Sequence, residues 1–258
     1  MPEDTITTET RNNLGIITLD DPAQRNPLST KTMNAVIAAL QRLSASEEVG
    51  CIILRANGPV FSAGHDLKEM IGRSFEEQQH IFALCTEMMK TIQQVPQPVV
   101  AAVQGPALAA GCQLVATCDL VVASDGAVFS TPGVKIGLFC STPMVAVSRV
   151  IGRKRALQML LTGEPVTAST AVDWGLINEV VPAEQLEERA EELGSHVADA
   201  SPLTLKIGKQ AFYRQIELPQ EEAYAEMSEV MATNAMVRDA QEGMSAFLEK
   251  RPPEWRGE

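Results

Sequence analysis

Two short runs of small residues constrain this chain more than any other feature: Phe61-Ser62-Ala63-Gly64-His65-Asp66-Leu67 and Gly105-Pro106-Ala107-Leu108-Ala109-Ala110-Gly111-Cys112-Gln113-Leu114. Each follows an apolar segment rich in β-branched residues, Cys51-Ile52-Ile53-Leu54 in one case and Val99-Val100-Ala101-Ala102-Val103 in the other. Each then opens into a helical pattern. A strand that gives way to small residues and then a helix presents backbone N–H groups without partners at the junction. Two such donors converging on one oxygen form an oxyanion hole, which stabilises negative charge developing on a carbonyl.

The chain around these runs alternates in the same way. Leu14 to Leu19 reads as a strand, Asp20 to Pro27 as a turn-rich loop, and Ser29 as the cap of a helix carrying Met33, Val36, Ile37, Leu40 and Leu43 on one face. Val49–Leu54 reads as a buried strand and Phe75–Val95 as a helix. Val99–Val103 is a strand again, Gly111–Thr117 a helix, and Asp119–Ala123 and Phe129–Val134 are strands. Strands alternating with helices predict an α/β core. Beyond Thr142 the pattern turns helical, over Val145–Val150, Lys154–Leu161, Ala168–Trp174, Ala183–Ala198, Pro202–Gln215, Gln220–Thr233 and Val237–Lys250, with one strand at Ile177–Val181. The reading is one domain with a helical tail, divided as 1–200 and 201–258.

Composition narrows the partners. With 258 residues and 45% hydrophobic content the chain buries a sizeable core. A net charge of −12 leaves no broad basic field for nucleic acid or an anionic membrane, although a small anionic ligand needs only a few local cations. Pro96, Pro98, Gln104, Gly105 and Pro106 interrupt the most apolar region, so it does not read as a bilayer span. Five cysteines without a CxxC pair read as free thiols in a reducing compartment. Cys112 and Cys118 have no histidine near them in sequence, so no metal site is expected. The polar stretch Met1–Asn13 has neither a signal-peptide core nor an Arg-rich transit pattern, which makes a cytoplasmic location the expectation.

Read together, the landmarks resemble the crotonase superfamily, the enoyl-CoA hydratases and isomerases, over nearly the whole chain. They are Ile17-Thr18-Leu19, Asn26-Pro27-Leu28, Phe61 through Met70, Gly105 through Asp119, Leu161-Thr162-Gly163-Glu164, Gly175 through Pro182, and Asp239 through Arg251. The resemblance implies a spiral core of ββα turns with a helical C-terminal trimerisation region, in a homotrimer or a hexamer of two trimers. It implies an acyl-CoA thioester as ligand, with coenzyme A entering as part of the substrate and no permanently bound cofactor. The backbone N–H groups of His65 and Ala110 would grip the thioester oxygen, with Gly111 allowing the substrate to approach closely. Arg25, Ala63, Asp66 and Leu67 fall where the family holds the nucleotide and pantetheine, and Phe247 and Lys250 where a neighbouring subunit reaches the adenine and phosphates.

Two positions depart from the family pattern. Its hydratases use two glutamates, and here those positions are Gln113 and Gly133. Hydration needs one group to take a proton from water and another to give one to carbon, and each such group contributes roughly 10²- to 10⁴-fold. An amide has no basicity near neutral pH, and glycine offers only backbone and space, most simply relieving crowding or enlarging the cavity. Two-glutamate hydration is therefore not expected, and glutamate at both positions should restore it if the geometry is family-like. Decarboxylation, thioester hydrolysis, double-bond migration with a base from elsewhere, and acyl-CoA binding without turnover all stay open.

His65 and Asp66 are the replacement acid–base candidates. The blander reading is that His65 acts through its N–H while Asp66 caps the following helix. A Ser62–His65–Asp66 triad is disfavoured because near neighbours in a loop rarely reach triad geometry. Cys140 and Ser141 read more simply as structural than as nucleophiles.

Overall fold

A computed structural model describes residues 5–258; Met1 to Asp4, part of the polar N-terminal stretch, lie outside the described residues. In chain order the first half contains β1 (Ile6–Arg11), β2 (Leu14–Leu19), β3 (Pro27–Leu28), α1 (Thr30–Ser44), β4 (Cys51–Ala56), β5 (Gly64–His65), α2 (Leu67–Met70), α3 (Phe75–Gln94), β6 (Val99–Val103), β7 (Ala107–Leu108), α4 (Ala110–Thr117), β8 (Leu120–Ser124) and β9 (Val128–Ser130). A 3₁₀ turn over Pro132–Ile136 follows, then α5 (Ser141–Val150), α6 (Arg153–Thr162), β10 (Val166–Thr167), α7 (Ala168–Trp174), β11 (Glu179–Val181), α8 (Leu186–Ala198), α9 (Pro202–Gln215), α10 (Gln220–Met236) and α11 (Arg238–Glu249).

The main sheet runs β1-β2-β4-β6-β8-β11; β1 pairs antiparallel with β2, and every other pairing is parallel. Its parallel strands read as continuous apolar runs because both faces are covered. Leu14, Ile16, Cys51, Ile53, Val100, Ala102 and Val122 point to one side and pack with Leu186 and Ala190 of α8. Ile17, Leu19, Ile52, Leu54, Val99, Ala101 and Val103 point to the other, against α1, α3 and α4. Fully burying one such side chain contributes about 1.5–3 kcal/mol, so a polar residue on either face of β4 or β6 breaks the sheet.

The helices start where their sequences give the backbone a cap. Ser29 accepts from the Thr32 N–H to open α1, and Ser74 with Glu77 forms a capping box on α3. The expected strand at 129–134 stops at Ser130 because Pro132 begins a 3₁₀ turn instead. A second difference is β1, a strand inside the polar N-terminal stretch. It lies at the sheet edge with its side chains largely exposed, so its polar residues carry no burial signal.

The C-terminal helices are tied to the core by a buried cation. Lys209 of α9 donates to the Ile92 and Gln97 carbonyls at 2.7 and 2.8 Å and pairs with Asp119 at 2.6 Å. Asp119 also accepts from the Val99 N–H and the Tyr213 hydroxyl, each at 2.7 Å, so no polar atom of the pair is stranded. Removing one partner of such a pair costs about 3–5 kcal/mol. By contrast α10 buries no residue of its own, and Tyr224, Met231, Met236, Phe247 and Leu248 are exposed on α10 and α11. Among the described residues no helix is long and apolar enough to cross a membrane, and no cluster of three His, Cys, Asp or Glu could hold a metal ion.

Candidate active site

Each small-residue turn sits in a minor sheet of its own, and an isolated bridge brings the two together. β3 pairs with β5, β7 pairs with β9, and a bridge joins Ser62 to Ala107. Ser62 is the stitch. Its hydroxyl donates to the Asn26 carbonyl at 2.8 Å and accepts from the Gly64 N–H at 3.2 Å, while its own carbonyl accepts from the Leu108 N–H at 2.9 Å. Fully buried and committed, that hydroxyl is no nucleophile, and the triad is excluded on geometry.

Two glycines permit the approach. A Cβ on Gly111 would sit 2.5 Å from the Ser62 carbonyl oxygen, so what Gly111 admits is the neighbouring turn, not a substrate; it does not line the cavity described below. Gly64 has φ +91°, and a Cβ there would lie 3.1 Å from the Ala110 nitrogen. Its absence leaves space beside that nitrogen. Ala109, at φ 51° and ψ −116°, holds a backbone region that residues with a side chain rarely adopt. Its N–H donates to the Ser130 carbonyl at 2.9 Å, which pins the strained residue. The first intrahelical bond of α4 runs from the Gln113 N–H to the Ala109 carbonyl. No side chain caps the helix, and the Ala110 N–H finds no protein acceptor among the described residues.

In front of these groups lies a cavity of about 760 Å³. His65, Ala110 and Gly133 line it, as do Arg25, Ala63, Asp66 and Leu67. The Asp66 carboxylate accepts from the Lys68 N–H at 2.9 Å and so caps α2, as the blander reading has it. Arg25 sits at φ 67° after a 3₁₀ turn and makes no side-chain hydrogen bond or ion pair among the described residues. Lys68 and Lys135 add two more cations, the latter paired with Glu164 at 2.8 Å. Phe247 and Lys250 stand on α11 and its end, exposed and away from the cavity of their own chain.

The two glutamate-replacing positions are lost to the cavity chemistry in different ways. Gln113 is buried but does not line the cavity; its amide oxygen lies 4.0 Å from the Cys85 thiol of α3. Gly133 relieves crowding, as one of its two expected readings has it, and the space is taken up by main chain rather than added to the cavity. A Cβ there would fall on the Leu138 carbonyl oxygen and lie 2.9 Å from the Cys140 sulfur, while the Leu138 N–H donates back to the Gly133 carbonyl at 3.0 Å. Main chain occupies the place of a side chain. The expectation that glutamates at 113 and 133 restore a working pair is corrected accordingly: this backbone has no room for the second.

His65 is a buried ionisable group on the wall. Burial pulls its pKa below the ordinary value, with Glu69 opposing, so the ring is neutral at physiological pH. It packs against Phe82 with ring centroids 5.4 Å apart, and its Nδ1 is sealed without a hydrogen-bond partner. Burial pushes the Cys140 thiol up, with a Gly133 backbone hydrogen bond opposing, which argues against a thiolate there. Sequence reasoning missed the apolar wall of Met70, Phe82, Ile136, Leu138 and Phe139. Phe82 sits beside the buried stripe of α3, and an aromatic residue in a chain with 4% aromatics was the available signal.

Known proteins resemble this chain in sequence and fold. The family described as enoyl-CoA hydratase/isomerase matches residues 9–258. Enoyl-CoA hydratase domain-containing protein 3, mitochondrial, of Rattus norvegicus is 46% identical over 251 residues, covering 96% of this chain and 84% of that protein. The Homo sapiens protein of the same name is 44% identical over 94% of this chain and 80% of its own length. A crystal structure of an enoyl-CoA hydratase from Mycobacterium smegmatis superposes with a TM-score of 0.95 at 45% identity, covering 98% of this chain and 99% of that one. The human domain-containing protein 3 structure also gives 0.95, at 42% identity over 97% and 100%. These likenesses bear out the α/β crotonase-type fold. They overturn the cytoplasmic expectation, since the rat, mouse and human relatives are mitochondrial by name. Buried free thiols suit any reducing compartment and could not separate the two.

Proposed function

Because the chain belongs to the enoyl-CoA hydratase/isomerase family, we propose that it binds acyl-CoA thioesters in the cavity before α4 and stabilises the oxyanion or enolate formed there. The donors are the backbone N–H groups of His65 and Ala110. The observation that carries this reading is the Ala110 N–H, without a protein acceptor among the described residues, at an uncapped helix start on the wall of a cavity of about 760 Å³. Arg25 and Lys68 supply positive charge for the coenzyme phosphates on a chain of net charge −12. The acyl group lies along Phe82, Leu138 and Phe139.

The reaction is one in which charge collects on the thioester oxygen without two carboxylates. With Gln113 turned to Cys85 and Gly133 closed by Leu138, the two-glutamate addition of water has neither of its groups. Residues 201–258 form the trimerisation region in this reading. Assembly covers the exposed apolar residues of α10 and α11 and brings Phe247 and Lys250 to a neighbouring subunit's coenzyme.

Replacing Ala110 by proline tests the reading. Proline is tolerated at a first helical position but has no N–H. Incubation with a panel of acyl-CoA thioesters and mass spectrometry should show turnover lost, by about 10²- to 10³-fold, while coenzyme A binding persists. Turnover that survives in a variant still binding coenzyme A contradicts it.

A further inference from the structure

We propose that the His65 imidazole is the catalytic base and acid of this site, moving a proton between carbons of the bound acyl chain. This rests on the acyl-CoA reading above and assigns it a proton carrier. Three observations converge on the ring. The two positions that would carry carboxylates are disabled, one facing Cys85 and the other closed by the Leu138 carbonyl. Of the other cavity-lining titratable groups, Arg25 and Lys68 are the cations assigned to the coenzyme phosphates, Asp66 is spent on capping α2, Lys135 on Glu164, and the Cys140 thiol is buried. His65 alone offers a neutral base there, on the residue whose N–H is assigned to the thioester oxygen. Its Nδ1 is sealed and unpartnered, so Nε2 is the nitrogen open to a ligand.

The step conserves atoms and electrons. With a 3-enoyl thioester, the C2–H bond breaks and Nε2 takes the proton while Nδ1 keeps the ring's own. The electron pair delocalises into a dienolate whose oxygen the two N–H groups hold. The imidazolium then returns the proton to C4, leaving the 2-enoyl thioester. Glu69, which accepts from the Thr30 N–H and hydroxyl at 2.8 and 2.9 Å, is the nearby carboxylate that offsets the transient positive charge. The other groups around the ring are the Asp66 carboxylate capping α2, the Phe82 ring and farther along α3 the Cys85 thiol, pushed up to about 12 and so uncharged. Across the cavity stand Cys140 and the cations Arg25, Lys68 and Lys135.

The experiment uses the full chain with trans-3-hexenoyl-CoA in D₂O, following deuterium entry and 2-enoyl product by mass spectrometry, with coenzyme A affinity measured in parallel. Wild type should exchange and isomerise, and His65→Gln, which keeps the backbone N–H, should lose both by about 10²-fold or more at unchanged affinity. The wild-type rate should rise with pH to a plateau, with its inflection below ordinary histidine, and Glu69→Gln should move that inflection lower. Undiminished exchange in His65→Gln, or a flat wild-type profile, overturns the assignment and leaves thioester binding standing. Absence of coenzyme A affinity in wild type overturns the underlying reading as well.

Discussion

The turn at 107–113 and the turn at 130–140 both meet the cavity, both lack side-chain bulk at a decisive position, and serve opposite ends. At the first, the missing Cβ of Gly64 in the facing 61–67 turn leaves space beside the Ala110 nitrogen, and the missing Cβ of Gly111 lets Ser62 lock the two turns together. In the second, the missing Cβ of Gly133 is replaced by the Leu138 carbonyl, and no space results. A small residue near a site thus either exposes a donor or admits a neighbouring backbone. Only the position of the neighbour decides which.

The largest effect should come from closing the first turn. Gly64→Ala places a methyl 3.1 Å from the Ala110 nitrogen at φ +91°, so turnover should fall about 10²- to 10³-fold, or ~3–4 kcal/mol of barrier. Steady-state kinetics beside a thermal melt checks this, and a fully active, folded variant breaks the comparison. Forcing open the second turn ranks next. Gly133→Glu should destabilise by about 1–3 kcal/mol or more through overpacking, and adding Gln113→Glu should yield no crotonyl-CoA hydration. Chemical denaturation and a hydration assay read both; hydration in the double variant would show that the Leu138 turn yields.

The smallest effect is in the pH dependence of stability. Burial depresses the folded-state pKa of His65 below its ordinary ~6.5. The stability this carries is fully present above the unfolded value and is lost as pH falls through the folded one. Melting temperatures of wild type and His65→Gln should therefore converge or cross between pH 7.5 and 5, with wild type losing more. Parallel curves contradict the burial.

How much of this is legible in the sequence follows from where the side chains go. β2, β4, β6 and β8 are legible because both faces are largely buried and the residues are predominantly apolar. β1 is not, since its exposed side chains are polar for the same physical reason that a loop's are. Strands of two residues, such as β5 and β7, carry no periodicity, yet they flank the Ser62–Ala107 bridge that joins the turns. Within the site, His65 and Ala110 are visible from the strand–turn–helix grammar and the family landmarks. The reason for Gly133 is not, because it lies in the path of the Leu138 carbonyl, and a single sequence does not record where backbone atoms return.

The most direct measurement is the carbonyl stretch of a bound acyl-CoA carrying ¹³C at the thioester carbon, read by isotope-edited infrared difference spectroscopy. Two main-chain donors on that oxygen predict a shift to lower frequency on binding, lost in Gly64→Ala at saturating ligand. An unshifted band in the saturated wild-type complex would contradict the account.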